Sequence, residues 1–283
     1  LNGKQQSSVL LNPSNYHTVL LVIYSVVLLC GTISLSLMMH IMKSSSTSTT
    51  SIAVLNLIFT HFIFLLTVPF RIYYYATNHW SLSWGWCKMV SGMIHIHMYM
   101  SFIFYVIILI TRLLTFYNKA NQMVHFQRIH AFLLSAFVWI TVNSTNGHCF
   151  NFGKSIKTAI AANYIISTLI IVVATTLTAL QAKVLWVLYK KHRQGCTSQQ
   201  DFGAQLKSMC FALIMVVCFI PYHLFRFYYL ENIDLQNINE VFLSLTTFNC
   251  LDMLTFMGRR TCNICFYKSY MFTYKMCESA LCF

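Results

Sequence analysis

Charge is what this 283-residue chain has least of: aspartate, glutamate, lysine and arginine make up only 9% of it, against 57% hydrophobic residues. Soluble domains carry roughly 25% charged residues, so an ordinary soluble fold is excluded before any segment is inspected. Acids are scarcest, six against 19 lysines and arginines, and the formal net charge is +13. On a soluble surface that excess would suggest nucleic acid. Here the bases flank apolar runs, which is the pattern of membrane topology, and no nucleic-acid partner is expected. No nucleophile triad, metal cluster or phosphate loop stands out, so neither an enzyme nor a bound cofactor or metal is expected. No internal repeat is visible, which counts against transporters built from duplicated halves. An initiator methionine is also missing: the chain opens at Leu1, so its true start is expected upstream and a signal peptide cannot be assessed.

What the chain does have is long apolar runs, at about 18–42, 52–76, 86–117, 158–189, 204–230 and 239–257, with a shorter one at 129–142. A span needs roughly 20 apolar residues. The runs therefore predict an all-α membrane protein, a seven-transmembrane helix bundle over 18–258. A segment over 1–17 lies outside the membrane and a cysteine-containing cytoplasmic tail covers 259–283. The run from Ile129 to Val142 can be lengthened only by drawing in His125, Gln127, Arg128 and His130. A half-length span leaves backbone ends unsatisfied in lipid, so this fourth helix is expected to be short or incomplete. With the N-terminus outside, only Lys4, Arg71, Lys88, Lys154, Lys157 and Arg226 fall outside and the other bases inside. That is the bias an odd number of spans should show.

The stretch from Cys87 to Arg112 organises the rest. Its residues are nearly all apolar, and as a helix it reaches about 37 Å, enough to join both interfaces. It has a bridgeable cysteine at one end and an arginine at the other, and reads as the central helix. Cys149 lies in the loop Asn143–Lys157 on the same face as Cys87, and an oxidising outer compartment permits a bridge between them. Asn143-Ser144-Thr145 is a glycosylation sequon in that loop. Cys30, Cys210, Cys218 and Cys250 sit inside apolar runs and read as small buried hydrophobes. The tail cysteines Cys262, Cys265, Cys277 and Cys282 suit palmitoylation, or no role, better than zinc. His95 and His97 are two apart and point to nearly opposite helix faces, so they are not read as one metal site.

Several further residues stand in a recurrent order. Asn56-Leu57 and Pro69-Phe70 fall in the second run, Cys87 and Arg112 in the third, and Trp139 in the fourth. Cys149 lies in the following loop and Cys218-Phe219-Ile220-Pro221 in the sixth run. In these the chain resembles the rhodopsin-like (class A) G-protein-coupled receptors. In Pro221-Tyr222-His223-Leu224-Phe225-Arg226 it looks like their purinergic-type branch. The resemblance implies a multi-pass plasma-membrane receptor that binds an extracellular ligand and activates a heterotrimeric G protein, with arrestin as a further partner. It also implies that Arg112 meets the G protein and that Phe219, Pro221, His61 and Asp252 belong to the switch. The chain departs from the family pattern in places. Arg112 follows Thr111 instead of an acid, His61 replaces the usual aspartate, Thr32 the usual asparagine and Phe219 the usual tryptophan. The seventh-span signature reads Asp252-Met253-Leu254-Thr255-Phe256, without its proline. With no acid to hold Arg112, the inactive state is expected to be poorly latched.

The mouth of the bundle is basic. Arg71, Lys88, His223 and Arg226 lie at or near the outer ends of their runs, and no aspartate stands early in the third run, where Ile94 and His95 are. Protonated amines therefore lack an anchor, whereas arginine grips carboxylate or phosphate in a fork. The candidate ligand-binding residues are Arg71, His95, Tyr99, His223 and Arg226, and the expected ligand is anionic or lipid-like. For Arg71, contact with lipid headgroups is the competing reading. His61 and Asp252 are the ionisable groups deep in their runs, and such groups usually pair. A hydrogen bond between them is expected in place of a sodium site. Two alternatives stay open: a small channel or transporter in which His61 and Asp252 relay protons, and a non-signalling receptor remnant.

Overall fold

The computed structural model describes residues 13–42, 49–117, 160–193 and 199–252. Among them are helices and turns but no strand. Five long helices occur: α1 (Pro13–Met42), α2 (Thr49–Thr77), α3 (Trp84–Phe116), α4 (Ile160–Arg193) and α5 (Gln199–Glu231). A shorter helix, α6 (Gln236–Leu245), follows a 3-10 turn at Ile233–Leu235 and runs into a 3-10 segment, Thr246–Leu251. The five long helices are each apolar and long enough to cross a membrane. The run at 129–142 lies outside the described residues, as do the tail cysteines, Asn143 and Cys149. Consequently α4 and α5 correspond to the runs at 158–189 and 204–230.

The helices begin and end where backbone groups find partners. Ser83 caps α3, its hydroxyl accepting from the Trp86 amide at 3.4 Å. At the far end of α2, Asn78 takes φ 55° and its amide bonds the Tyr74 carbonyl at 2.8 Å, a left-handed stop that asparagine tolerates. Pro69 and Pro221 lie inside α2 and α5. Each withholds an amide from the turn before it, which bends a helix that packing must then hold.

Apolar residues face two ways. Leu29, Phe59, Ile165 and Val217 are more than 60% exposed, as lipid-facing residues of a bundle are. Leu20, Tyr24, Leu57, Phe64, Met98, Tyr105, Met215 and Phe219 are buried in one core. Helix α4 packs mainly on α5, α2 packs on both α1 and α3, and α6 packs on α5 and α1. The 3-10 segment touches α1, α3 and α5, so whatever it carries is presented to the middle of the bundle. The apolar run at 239–257 predicts one continuous helix there, but the α-helix gives way at Leu245. Ser244, Thr246 and Thr247 hydroxyls each bond the carbonyl three residues back, at 2.7, 2.7 and 2.5 Å, and such back-bonding competes with the helical ladder.

Gly31 of α1 faces Leu65 of α2 and Cys250 of the 3-10 segment. A methyl group there would stand 3.0 Å from a Leu65 terminal methyl and 3.6 Å from Cys250 Cβ. Gly31→Val is expected to lower stability by about 1–3 kcal/mol through overpacking. Thermal unfolding of the detergent-purified protein measures this, and an unchanged transition would show that the approach is not tight.

Candidate functional site

Two polar centres are buried in this apolar bundle, and a third group gathers on α5. The first lies near the middle of α3. His97 is about 15 Å from Cys87 and about 22 Å from Arg112 along the helix axis. Its Nε2 is 2.9 Å from Nδ1 of His61 on α2. The other ring nitrogen of His61 is 3.3 Å from an Asp252 carboxylate oxygen. Cys250 Sγ is 3.5 Å from both His61 Nδ1 and His97 Nε2. Tyr105 donates to the same Asp252 oxygen at 2.5 Å. His61, His97, Ser101, Tyr105, Asn249, Cys250 and Asp252 are all buried. The Phe64 ring stacks on His97 at 4.1 Å and fixes its plane. Phe219 of α5 packs edge-on against Tyr105 at 6.1 Å and Phe102 at 5.7 Å. The hydrogen-bonded centre is thereby tied to the helix that carries Pro221.

The second centre lies nearer the Cys87 end. Arg71, 1% exposed, donates to the Val90 and Ser91 carbonyls at 2.8 and 2.9 Å and to Tyr24 Oη at 3.3 Å. Glu240 of α6 is 3.9 Å from its guanidinium and accepts a hydrogen bond from Tyr75. A cavity of about 20 Å³, room for a water, is lined by Arg71, Ile94, Tyr229, Asn239, Glu240 and neighbours. The burial of Arg71 takes it away from headgroups.

The third group is built on one face of α5. Arg226 is 5% exposed, bonding Tyr222 one turn back and Asn163 Oδ1 of α4 at 2.5 Å. His223, also buried, is 3.2 Å from Ser167 Oγ, and its ring lies 6.4 Å from that of Tyr99. His95, half-buried on α3, is within electrostatic reach of both Arg71 and Arg226. Among the described residues Arg226 has no carboxylate within ion-pair distance, whereas Arg71 has Glu240. Burying a guanidinium among neutral acceptors is costly unless an anion joins it.

The remaining candidates are placed simply. Arg112 is half-buried and forms no ion pair among the described residues. Cys87 is buried and disulfide-bonded, to a partner outside the described residues. Lys88 is exposed and lies over the Trp84 ring at 5.5 Å. Sequence reasoning singles out His61 and Asp252 but not His97, Cys250, Tyr105 or Glu240. His97 is weighed only against His95, and Cys250 only as a hydrophobe. The available signal was their position: a histidine and a cysteine at mid-span depth, where polar groups face inward.

No family model matches the chain. Probable G-protein coupled receptor 141 of Homo sapiens is 36% identical to it over 265 residues, covering 84% of this chain and 87% of that protein. Probable G-protein coupled receptor 34 of Pan troglodytes is 24% identical over 269 residues, covering 83% and 71%. Lysophosphatidic acid receptor 4 of Homo sapiens is 25% identical over 263 residues, covering 81% and 70%.

Proposed function

Because the chain belongs to the rhodopsin-like (class A) G-protein-coupled receptors, in their purinergic-like branch, and is a signalling receptor, not an enzyme, we propose that it takes an anionic, lipid-like ligand from outside the cell and activates a heterotrimeric G protein. It does so as a seven-helix bundle of the plasma membrane with its N-terminus outside and a short fourth helix. The Cys87–Cys149 bridge tethers the outer loop, and arrestin is a second partner at the inner face. Arg226 carries the reading: a buried cation whose hydrogen-bond partners among the described residues are Tyr222 and Asn163, with His223, Tyr99 and His95 nearby. A carboxylate or phosphate there supplies the counter-charge that no described residue gives Arg226, and forked hydrogen bonds hold it. Lysophosphatidic acid receptor 4, by its name, answers to an anionic lipid of this kind. Arg71, already engaged by Glu240, shapes the pocket more than it anchors the ligand.

The test is a second-messenger assay on cells expressing the full chain, challenged with lysophosphatidic acid, a long-chain fatty acid, a nucleoside diphosphate and zwitterionic lysophosphatidylcholine. A response to an anionic member is expected, weakened about 10- to 150-fold in Arg226→Gln, the loss matching hydrogen bonds to a charged group. Response to the zwitterion alone, or an equal response in Arg226→Gln, rejects the reading.

Arg112 is the G-protein-facing residue of this proposal. With no ion pair to hold it among the described residues, unstimulated signalling is expected to be appreciable and to fall in Arg112→Ala at matched surface expression. Equal baselines would refute the loose latch.

A further inference from the structure

The buried histidine–cysteine triangle at mid-span has the shape of a metal centre. We infer that His61, His97 and Cys250 together bind one borderline-soft divalent cation, zinc, inside the bundle. The three ligand atoms come from α2, α3 and the 3-10 segment and lie within 4.8 Å of one another. Zinc holds imidazole nitrogen at about 2.0–2.1 Å and thiolate sulfur at about 2.3 Å. Tetrahedral geometry with those bonds sets nitrogen–nitrogen and nitrogen–sulfur separations of about 3.3 and 3.6 Å. The protein has 2.9 Å between the nitrogens and 3.5 Å from sulfur to each. Opening the two rings by about 0.4 Å therefore brings the three donors to tetrahedral spacing, and a water would take the fourth position.

The surroundings are those of a zinc ligand set. His61 turns Nδ1 toward the triangle and Nε2 toward Asp252, the carboxylate–histidine relay that orients a metal-bound imidazole and raises its basicity. Tyr105 in turn holds the carboxylate. Among the described residues, buried His97 Nδ1 and one Asp252 carboxylate oxygen lack hydrogen-bond partners. With both imidazoles neutral, binding releases one proton, from the Cys250 thiol, while His97 moves its proton from Nε2 to Nδ1. The cation's two positive charges then meet one thiolate and one carboxylate, and the buried cluster is neutral, the condition for placing an ion at this depth. Nitrogen and sulfur donors select zinc over sodium, calcium or magnesium, which require oxygen. The ion ties α2 and α3 to the segment ending at Asp252, so it clamps together the elements that Tyr105 and Phe219 connect to α5.

The experiment uses the full chain purified in detergent, with Cys262, Cys265, Cys277 and Cys282 changed to serine so that tail thiols do not compete. One zinc per chain is expected, with an upward shift of the thermal transition. The cobalt form should show a thiolate-to-metal charge-transfer band that Cys250→Ser abolishes, and His97→Gln should weaken binding at least tenfold. Absence of bound zinc at micromolar free metal, or an unchanged cobalt spectrum in Cys250→Ser, overturns the inference. Should either variant fail to fold, X-ray absorption on the parent protein decides. A shell of one sulfur with two imidazole nitrogens and a fourth light atom supports the site; an all-oxygen or multi-sulfur shell overturns it.

Discussion

Glu240→Leu is expected to destabilise the protein by about 3 kcal/mol, the low end of what stranding a buried charge costs. Arg71 is 1% exposed and donates to Tyr24 Oη and to the Val90 and Ser91 carbonyls. Such neutral dipoles satisfy guanidinium protons but supply no counter-charge, which Glu240 gives in a low-dielectric interior. The same change takes from Tyr75 the acceptor of its hydroxyl. Two features hold the effect at the low end: the ion pair is long, 3.9 Å, and the Glu240 side chain keeps 15% of its surface exposed. The control is Arg71→Leu combined with Glu240→Leu. It removes the cation together with its acid, so it is expected to recover most of the loss, as paired replacement of buried ions does. Chemical or thermal unfolding in detergent measures both. A single-variant loss below about 1 kcal/mol, or a double variant less stable than the single, would show that the pair does not hold α6 to α2.

The helices are legible in the sequence because lipid makes apolar length decisive. The runs at 52–76 and 86–117 become Thr49–Thr77 and Trp84–Phe116. The differences lie where helical hydrogen bonding continues into polar turns, as at Gln199 and Gln200 before the apolar part of α5. Apolarity says nothing of where an α-helix tightens to 3-10, which depends on hydroxyls at Ser244, Thr246 and Thr247. Within the site, legibility stops at tertiary distance. Deep ionisable residues can be expected to seek partners, which brings His61 and Asp252 to attention, but their companions leave no periodic trace. His97 is 36 positions from His61, Cys250 is 153 from His97, and Tyr105 is 147 from Asp252. The placement of α6 that brings Glu240 within 3.9 Å of Arg71 is likewise a product of packing. The basic mouth is readable as a composition. Which of its cations is already matched by an acid is readable only once the helices are assembled, and that distinction separates Arg226 from Arg71.

Tyr105→Phe removes a single hydroxyl and is expected to lower stability by about 1.5–3 kcal/mol, the range for a hydrogen bond to a charged group. The hydroxyl is 2.5 Å from Asp252 Oδ2 and 3.3 Å from the Asn249 carbonyl oxygen. It has one proton to give, and the shorter contact to the carboxylate takes it. Without it, Asp252 keeps one partner among the described residues, His61 at 3.3 Å, and the oxygen already lacking a partner is joined by a half-satisfied one. Ring packing should survive, since the Phe211 and Phe219 rings pack on the Tyr105 ring with centroids 5.7 and 6.1 Å away, and phenylalanine keeps that ring. The loss therefore reports the hydrogen bond and not a cavity. Phe219→Leu tests the neighbouring contact and leaves the Tyr105–Asp252 bond intact. If the hydroxyl and the ring act through one packed unit, the two changes made together should fall short of the sum of their separate effects by at least 0.5 kcal/mol. Additive losses would separate the polar centre from α5, and a Tyr105→Phe transition matching the parent protein would remove the hydroxyl from any part in holding Asp252.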